Sequence, residues 1–351
     1  MPAQSSERPG NPNSVWMQFS LAAVFFEECR HRATALFAAV ATIGVVSGNA
    51  DAVLAGVRVL DGAMATELEA RGACIDGPLW SARVLEEAPE KIVAVHRAYI
   101  EAGADCIETA SYQVSRMGYA QCGMTPERAD TALLRSVELA RRAAESAGRR
   151  VVIAASLGPY GAALHNGAEY TGDYACSFAE LVEFHRERIE VLAAARDVRR
   201  PDLLAFETLP SLEEARALGE ALKDRPELRA WFSFTCRDGR HAAHGEPLSG
   251  CAAAVAELPQ TVAIGVNCTR PDLIGELIGE LRRASARPVI VYPNSGEEWD
   301  RERRVWTGTR DAAAFGRMAE GWFKAGAQAV GGCCRTGPEH VAEIARAAKP
   351  R

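Results

Sequence analysis

The stretch Leu203-Leu-Ala-Phe-Glu-Thr-Leu-Pro-Ser-Leu-Glu-Glu-Ala-Arg-Ala-Leu-Gly-Glu-Ala-Leu-Lys223 decides the fold of this chain. Its first part, Leu203–Glu207, is a short apolar run that ends on a carboxylate, which is typical of a strand covered on both faces. Ser211-Leu-Glu-Glu214 then forms a capping box that predicts the start of a helix running to Lys223. A strand followed directly by a capped helix is the βα unit of a parallel sheet.

The same unit recurs from residue 57 to the end of the chain. Eight apolar runs are predicted strands: Val57–Leu60, Asp105–Thr109, Val151–Ser156, Leu203–Glu207, Ala230–Thr235, Ala263–Asn267, Pro288–Tyr292 and Ala329–Gly331. Helical segments separate them. Eight βα units in about 290 residues predict an α/β fold, a single-domain (β/α)8 TIM-type barrel. A doubly wound open sheet is the alternative, but no Gly-x-Gly-x-x-Gly fingerprint follows the first strand.

The first fifty residues differ from the rest. Met1–Ser14 is rich in Pro, Ser and Asn, and the apolar runs Leu21–Phe26 and Ala33–Val46 are separated by charged residues. The second run is too short to span a membrane. A signal peptide is the alternative, but its basic cluster, Arg30–Arg32, lies far from the start. We therefore expect residues 1–50 to be a disordered or loosely helical extension and residues 54–351 to form the barrel domain.

Composition excludes several classes of protein. The chain has 351 residues, is 48% hydrophobic and 25% charged, and carries a net charge of −6 without a basic block, so we expect neither a nucleic-acid partner nor a membrane partner. Ten cysteines at scattered spacings do not form a secreted disulfide pattern. Small-molecule substrates and a reducing, cytoplasmic location are expected, and the oligomeric state stays open.

Three cysteines stand directly after predicted strands. Cys268 follows the sixth strand, and Cys333 and Cys334 follow the eighth, behind Gly331-Gly332. The two strand tips should lie about 10 Å apart, a gap that inward-leaning side chains can close. Adjacent strand residues point to opposite faces, so both thiols can bind one metal only if the backbone leaves strand geometry. The double glycine before the pair and the helix start after it supply that freedom.

Three thiolates around Zn²⁺ with an open fourth position form a catalytic arrangement. The alternative is three small, buried, hydrophobic cysteines, which are common in protein cores. Cys236, after the fifth predicted strand, is the rival ligand by position.

Two carboxylates also stand at strand tips. Glu207 ends a buried apolar run, and a buried carboxylate needs a partner, such as an incoming ammonium group. Asp61 ends the first predicted strand, where an internal salt bridge or a helix N-cap is the alternative.

Seven motifs extend this pattern along the chain. They are Leu60–Gly72 (LDGAMATELEARG), Glu108–Gln113 (ETASYQ), Ser156–Ala162 (SLGPYGA), Phe206–Ala215 (FETLPSLEEA), Gly265–Cys268 (GVNC), Tyr292–Glu297 (YPNSGE) and Gly331–Val341 (GGCCRTGPEHV). In these motifs the chain resembles the homocysteine S-methyltransferase family from about residue 54 to its end. The resemblance implies a (β/α)8 barrel, zinc held by Cys268, Cys333 and Cys334, and methyl transfer from a sulfonium donor to the thiol of L-homocysteine, forming methionine. S-methylmethionine and S-adenosylmethionine are the expected donors.

The resemblance also implies roles for seven side chains at the strand tips. These are Asp61 and Glu207 on the homocysteine ammonium, Thr109 and Ser111 on its carboxylate side, Asn267 lining the metal pocket, and Tyr112 and Tyr160 against the donor sulfonium.

Three alternatives stay open from the sequence. A selenocysteine or another thiol or selenol acceptor fits the same fold. A binding protein with a structural zinc would need four protein ligands, and only three are well placed. A thiol redox enzyme is disfavoured, because no Cys-x-x-Cys motif is present and adjacent cysteines form only a strained disulfide.

Overall fold

A computed structural model describes residues 52–75, 79, 81–300, 305–308 and 310–349 of the chain. The predicted extension, residues 1–50, lies outside the described residues. None of the described helices is both long and apolar enough to cross a bilayer.

A parallel sheet of seven strands forms the centre of the fold, in the order β1-β2-β3-β4-β5-β6-β9. Its strands are β1 Cys106–Glu108, β2 Val152–Leu157, β3 Leu203–Leu209, β4 Ala230–Phe234, β5 Thr261–Asn267, β6 Val289–Tyr292 and β9 Ala329–Val330. Each strand pairs in parallel with the next one of this sheet along the chain. The α/β class and seven of the eight predicted strands are confirmed.

The first predicted strand differs from the expectation. Within Val57–Leu60 the structure has two isolated parallel bridges, from Val59 to Val330 of β9 and from Leu60 to Cys106 of β1. Asp105 N–H donates to Val59 O at 2.8 Å, which ties the segment to β1 as well. The predicted eight-stranded barrel is therefore present as a curled seven-stranded sheet with a short bridging segment between its edge strands.

Twelve helices are found among the described residues. They are α1 Met64–Ala70, α2 Ser81–Glu87, α3 Pro89–Ala102, α4 Arg116–Gln121, α5 Pro126–Ala144, α6 Tyr160–Leu164, α7 Phe178–Ala194, α8 Leu212–Leu222, α9 Leu248–Ala256, α10 Ile274–Ala284, α11 Ala312–Ala325 and α12 Pro338–Ala347. An antiparallel hairpin that the sequence did not suggest, β7 Glu298–Asp300 with β8 Val305–Thr307, lies between β6 and α11.

The start of α8 corrects one prediction. Ser211 Oγ accepts a hydrogen bond from Glu214 N at 3.2 Å, so Ser211 caps the helix as expected. The Glu214 side chain does not return to Ser211; its Oε1 atom lies 2.9 Å from His185 Nε2 instead. Only half of the predicted capping box forms, because a buried partner on α7 takes the carboxylate.

Two apolar layers cover the two faces of the sheet. The outer layer packs the sheet against the helices, and its largest members include Phe206 and Phe232. The inner layer holds residues that alternate with them along the strands, such as Ala154, Trp231 and Tyr292. Both faces are buried, which explains the continuous apolar runs in the sequence. Toward the carboxyl ends of the strands the inner face becomes polar, and the candidate site lies there.

Candidate active site

The three predicted cysteines come together at the carboxyl ends of β5 and β9. Their sulfur atoms all lie within 4.8 Å of one another, and Cys268 Sγ is 3.5 Å from Cys334 Sγ. In the described part of the chain this is the one group of three or more potential metal ligands that meets that limit, and Cys236 is not in it. The expected convergence of the three thiols is present in the structure.

The backbone at Cys268 explains how its thiol reaches the others. Cys268 has a φ of 49°, in the left-handed region that residues with side chains rarely adopt. Two hydrogen bonds hold it there: Cys268 N–H donates to Tyr292 O at 3.3 Å, and Thr235 Oγ1 donates to Cys268 O at 3.2 Å. Such an unusual conformation held by its surroundings is typical of functional sites.

The cysteine pair also leaves strand geometry, as predicted, but the glycines do not contribute through a left-handed backbone. Neither Gly331 nor Gly332 has a left-handed φ. Instead, a Cβ on Gly331 would lie 2.6 Å from Leu60 Cβ, and one on Gly332 would lie 2.3 Å from Thr336 Oγ1. The glycines are required for close packing, and the turn that follows is fixed by Thr336, whose Oγ1 donates to Cys333 O at 2.7 Å.

The thiol group fits a zinc ion. Tetrahedral zinc with bonds of about 2.3 Å places its sulfur ligands about 3.8 Å apart, close to the spacing of these three thiols. Hydrogen bonds from Cys268 and Cys333 lower the pKa of the Cys334 thiol well below its ordinary value. The same contacts raise the pKa of the Cys333 thiol, and the pKa of the Cys268 thiol is raised as well, so the three cysteines alone stabilise one thiolate, at Cys334. Ionisation of the other two needs a cation such as Zn²⁺ among them.

Three carboxyl groups lie together on the inner face of the sheet. Asp61 Oδ2 accepts a hydrogen bond from Glu108 N at 2.9 Å, the carboxyl groups of Glu108 and Glu207 are hydrogen bonded, and Ser156 Oγ donates to Glu207 Oε1. Burial raises the pKa of all three, and repulsion from Glu207 adds to the rise at Asp61 and Glu108. A bound cation would relieve this repulsion.

Asn267 lies between the tips of β5 and β3. Its Oδ1 accepts from Thr208 N at 2.7 Å, and its Nδ2 donates to Thr208 Oγ1 at 2.9 Å and to Glu207 Oε2 at 3.5 Å. Thr208 has a φ of 59°, so Asn267 holds another left-handed residue in place. Asn267 therefore links the carboxyl group of Glu207 to the end of β5, directly before Cys268.

Thr109 and Ser111 are buried in a hydroxyl network. The two oxygens are 2.6 Å apart, Ser111 Oγ donates to Ser156 O at 2.8 Å, and Thr109 Oγ1 accepts from Ser156 N at 3.1 Å. The network fastens the end of β1 to the end of β2. A role for these residues on the substrate carboxylate stays a prediction.

The predicted tyrosines occupy different places. Burial and the nearby charges of Glu169 and Cys268 raise the pKa of Tyr112, so this side chain lies at the site. Tyr160 packs instead against Tyr174 and Phe184, with ring centroids 5.3 Å and 5.1 Å away.

Two residues of the site have no predicted role. Glu108 stands at the tip of the second predicted strand, two residues after the inward-facing Cys106, and that spacing indicates an inward-facing carboxylate. Tyr170, whose hydroxyl lies 3.4 Å from Cys268 Sγ, comes from the loop after β2. No strand pattern predicts the path of that loop.

Comparisons with known proteins agree with this geometry. The family model described as Homocysteine S-methyltransferase matches residues 58–348. A homocysteine S-methyltransferase of Bacillus subtilis (strain 168), YbgG, is 46% identical over 296 residues, which cover 82% of this chain and 93% of that protein. A selenocysteine Se-methyltransferase of Brassica oleracea var. italica is 38% identical, with 82% of this chain and 88% of that protein covered.

A solved structure is similar in fold as well as in sequence. The metallated form of the homocysteine methyltransferase MmuM from Escherichia coli superposes with a TM-score of 0.75 at 42% identity, covering 85% of this chain and 99% of that one. On the family match and these identities, this chain belongs to the homocysteine S-methyltransferase family.

Proposed function

We propose that this protein transfers a methyl group from a sulfonium compound, S-methylmethionine or S-adenosylmethionine, to the thiol of L-homocysteine, forming methionine. One observation carries the proposal: three cysteine sulfurs lie within 4.8 Å of one another, and Asn267, next to Cys268, donates to the buried carboxyl of Glu207. Family membership supports the same reaction. An amino acid with a thiol side chain can place its sulfur at the cysteines and its ammonium group at the carboxyls.

Cys268, Cys333 and Cys334 would hold the metal, which we propose to be zinc. Zn²⁺ bound there would lower the pKa of the homocysteine thiol and keep its sulfur nucleophilic at neutral pH. The all-thiolate donor set favours zinc over magnesium or calcium, which prefer oxygen ligands. Reduced thiols of this kind need a reducing compartment, so we place the reaction in the cytoplasm.

The three buried carboxyls of the site bind the ammonium end of the substrate. The ammonium of homocysteine has three N–H donors, and Asp61, Glu108 and Glu207 offer acceptors around one buried position. Burial and mutual repulsion raise the pKa of these carboxyls, so a cation among them is favoured. Binding the ammonium there directs the substrate thiol toward Cys268 and the cysteine pair.

Positioning is the main task of the protein in the chemical step. A lone pair of the homocysteine sulfur forms the new bond to the methyl carbon, while the bond from that carbon to the donor sulfur breaks and its electron pair stays on the leaving thioether. Atoms and charge balance without a redox partner. Holding the two sulfurs and the methyl group in line supplies much of the acceleration of such a displacement.

We further propose that residues 54–351 form a closed (β/α)8 barrel around this site. The segment Val57–Leu60 lies between the edge strands β9 and β1 and bridges to both. It would be the eighth strand, and Asp61 directly after it would share the position of the other strand-tip residues.

Selenocysteine is the second candidate acceptor. The relative from Brassica oleracea var. italica is named a selenocysteine Se-methyltransferase. Selenocysteine has the same ammonium group as homocysteine, but its side chain is one methylene shorter. The distance between the carboxyls and the cysteine thiols would therefore favour one of these two acceptors over the other.

A donor and acceptor screen tests the proposal. Purified, zinc-loaded protein is given L-homocysteine with S-methylmethionine, S-adenosylmethionine or betaine, and methionine is measured. We expect methionine with at least one sulfonium and none with betaine. Selenocysteine is tested in parallel as acceptor. Absence of product with every sulfonium and either acceptor would refute the proposed function.

A further inference from the structure

We propose that Glu169 and Tyr170, on the loop after β2, form the subsite for the cationic sulfur of the methyl donor. The inference rests on the proposed function and adds to it a place for the second substrate. Glu169 and Tyr170 lie on this loop near the thiols. The interior carboxyls, those of Asp61, Glu108 and Glu207, lie at the strand tips.

Glu169 has an acceptor atom without a protein partner. Its Oε2 atom is buried and accepts no hydrogen bond from the described residues. Burial and the nearby charge of Cys334 raise the pKa of this carboxyl, and its own charge in turn raises the pKa of Tyr112. A buried carboxylate oxygen without a hydrogen-bond donor is stabilised by a cation.

Tyr170, the next residue along the chain, supplies an aromatic ring close to the thiols. Its hydroxyl lies 3.4 Å from Cys268 Sγ, yet 43% of the residue surface is exposed. The residue therefore reaches from the thiols to solvent, where a second substrate can contact it. Aromatic faces attract sulfonium and ammonium cations.

The loop holds both residues firmly. They lie in a 3-10 turn, Ala168–Tyr170, in which Ala168 N–H donates to Asn166 Oδ1 at 3.0 Å and Gly172 N–H donates to Ala168 O at 2.8 Å. A Cβ on Gly161 would lie 2.5 Å from Glu169 N, so the turn packs directly on α6. The side chains are thus presented from a fixed backbone.

The chemistry of this subsite suits a sulfonium rather than an ammonium. An ammonium needs several acceptors for its N–H groups, as the interior carboxyls provide. A sulfonium has no hydrogen to donate, so it is recognised by charge and by aromatic faces. One unpartnered carboxylate oxygen with Tyr112 and Tyr170 nearby offers both. A sulfonium held there has its methyl group beside the thiols, where the displacement described above needs it.

The decisive measurement compares two ligands of similar shape, one with a sulfonium sulfur and the other with a neutral CH group at the same position. S-methylmethionine and its carbon isostere 2-amino-5-methylhexanoic acid are titrated into zinc-loaded protein by calorimetry, and the ratio of their dissociation constants reports recognition of the sulfonium. We expect the wild type to prefer S-methylmethionine and Glu169→Gln to lose about tenfold or more of that preference. Asp173→Asn is the matched control, because it removes a charge from the same loop at a side chain that is 77% exposed.

Further readouts separate the possible outcomes. Zinc content and homocysteine affinity should stay within about twofold in Glu169→Gln, and the KM for S-methylmethionine should rise. Tyr170→Phe should keep the sulfonium preference and Tyr170→Leu should reduce it, which keeps the test valid if Glu169→Gln does not fold. An unchanged preference in Glu169→Gln, or an equal loss for both ligands, would overturn the inference while leaving the proposed function intact. Failure of the wild type to form methionine from any sulfonium would refute the proposed function instead.

Discussion

Replacing Gly332 with alanine tests whether close packing behind the cysteine pair sets the position of the thiols. The added Cβ would lie 2.3 Å from Thr336 Oγ1, 2.6 Å from its Cβ and 2.7 Å from its Cγ2. Ordinary contacts begin near 3.4 Å, so the two segments must separate by about 1 Å. Thr336 is fully buried and β-branched, so it cannot rotate away freely.

The magnitude follows from two contributions. Overpacking of this kind destabilises a core by about 1–3 kcal/mol. Displacing Thr336 also weakens its 2.7 Å hydrogen bond to Cys333 O, which adds about 1 kcal/mol. A shift of about 1 Å exceeds the tolerance of about 0.2 Å in zinc–ligand distances, so we expect zinc affinity to fall by about 10–100-fold.

Zinc affinity by competition with a chromogenic chelator and thermal unfolding of the zinc-loaded protein measure both effects. Gly250→Ala is the matched control, since no atom lies within 4 Å of a Cβ added there on helix α9. It should leave zinc affinity unchanged and raise stability by about 0.5–1 kcal/mol. If Gly332→Ala binds zinc as tightly as wild type and unfolds at the same temperature, the close-packing explanation is wrong.

Three further predictions follow from the buried ionisable groups. Glu207→Gln should weaken homocysteine binding by about 10–100-fold, because the substrate ammonium loses a charge-assisted hydrogen bond. The zinc content should stay unchanged. A calorimetric affinity within twofold of wild type would contradict the ammonium role. Glu108→Gln should reduce the number of protons released when homocysteine binds, because burial and the charge of Glu207 raise the pKa of Glu108 in the free protein. Calorimetry in buffers of different ionisation enthalpy measures the release, and equal release in both proteins would contradict the prediction. Burial lowers the pKa of His96 from 6.5 to about 3. Between these two pH values the unfolded chain binds a proton at His96 and the folded chain does not. The free energy of unfolding should therefore fall by up to about 1.4 kcal/mol per pH unit as the pH drops through this range. His96→Leu should remove that part of the slope in denaturant titrations, and an unchanged slope would refute the assignment.

The regular part of the fold was predictable from the sequence. Buried parallel strands appear as continuous apolar runs, and the residue after each run marks a strand tip, so Cys268 and Glu207 could be placed at one edge of the sheet. Val57–Leu60 resembled a full strand by the same criterion but forms only bridges, because hydrophobicity does not determine how many backbone pairs a short edge segment makes.

The site beyond the strand tips was less predictable. The position of Tyr170 depends on turns of the loop after β2, where His165 and Gly167 both have left-handed φ values. Glycine is required at position 332 because Thr336 packs against it, and that contact depends on tertiary packing. Glu214 was expected to complete a helix cap, but the buried His185 competes for its carboxylate, and no local pattern contains that information.

The central claim is that Cys268, Cys333 and Cys334 together hold a catalytic zinc ion. Its most direct test is the metal content of the purified, reduced wild type and of Cys334→Ser, measured by inductively coupled plasma mass spectrometry. Methionine formation is measured on the same samples. Cys236→Ser is the control, since it changes a buried cysteine outside the site. We predict one zinc per chain in the wild type and in the control, and loss of both zinc and methionine formation in Cys334→Ser. A wild-type protein without zinc, or a Cys334→Ser protein that keeps its activity, would contradict the account.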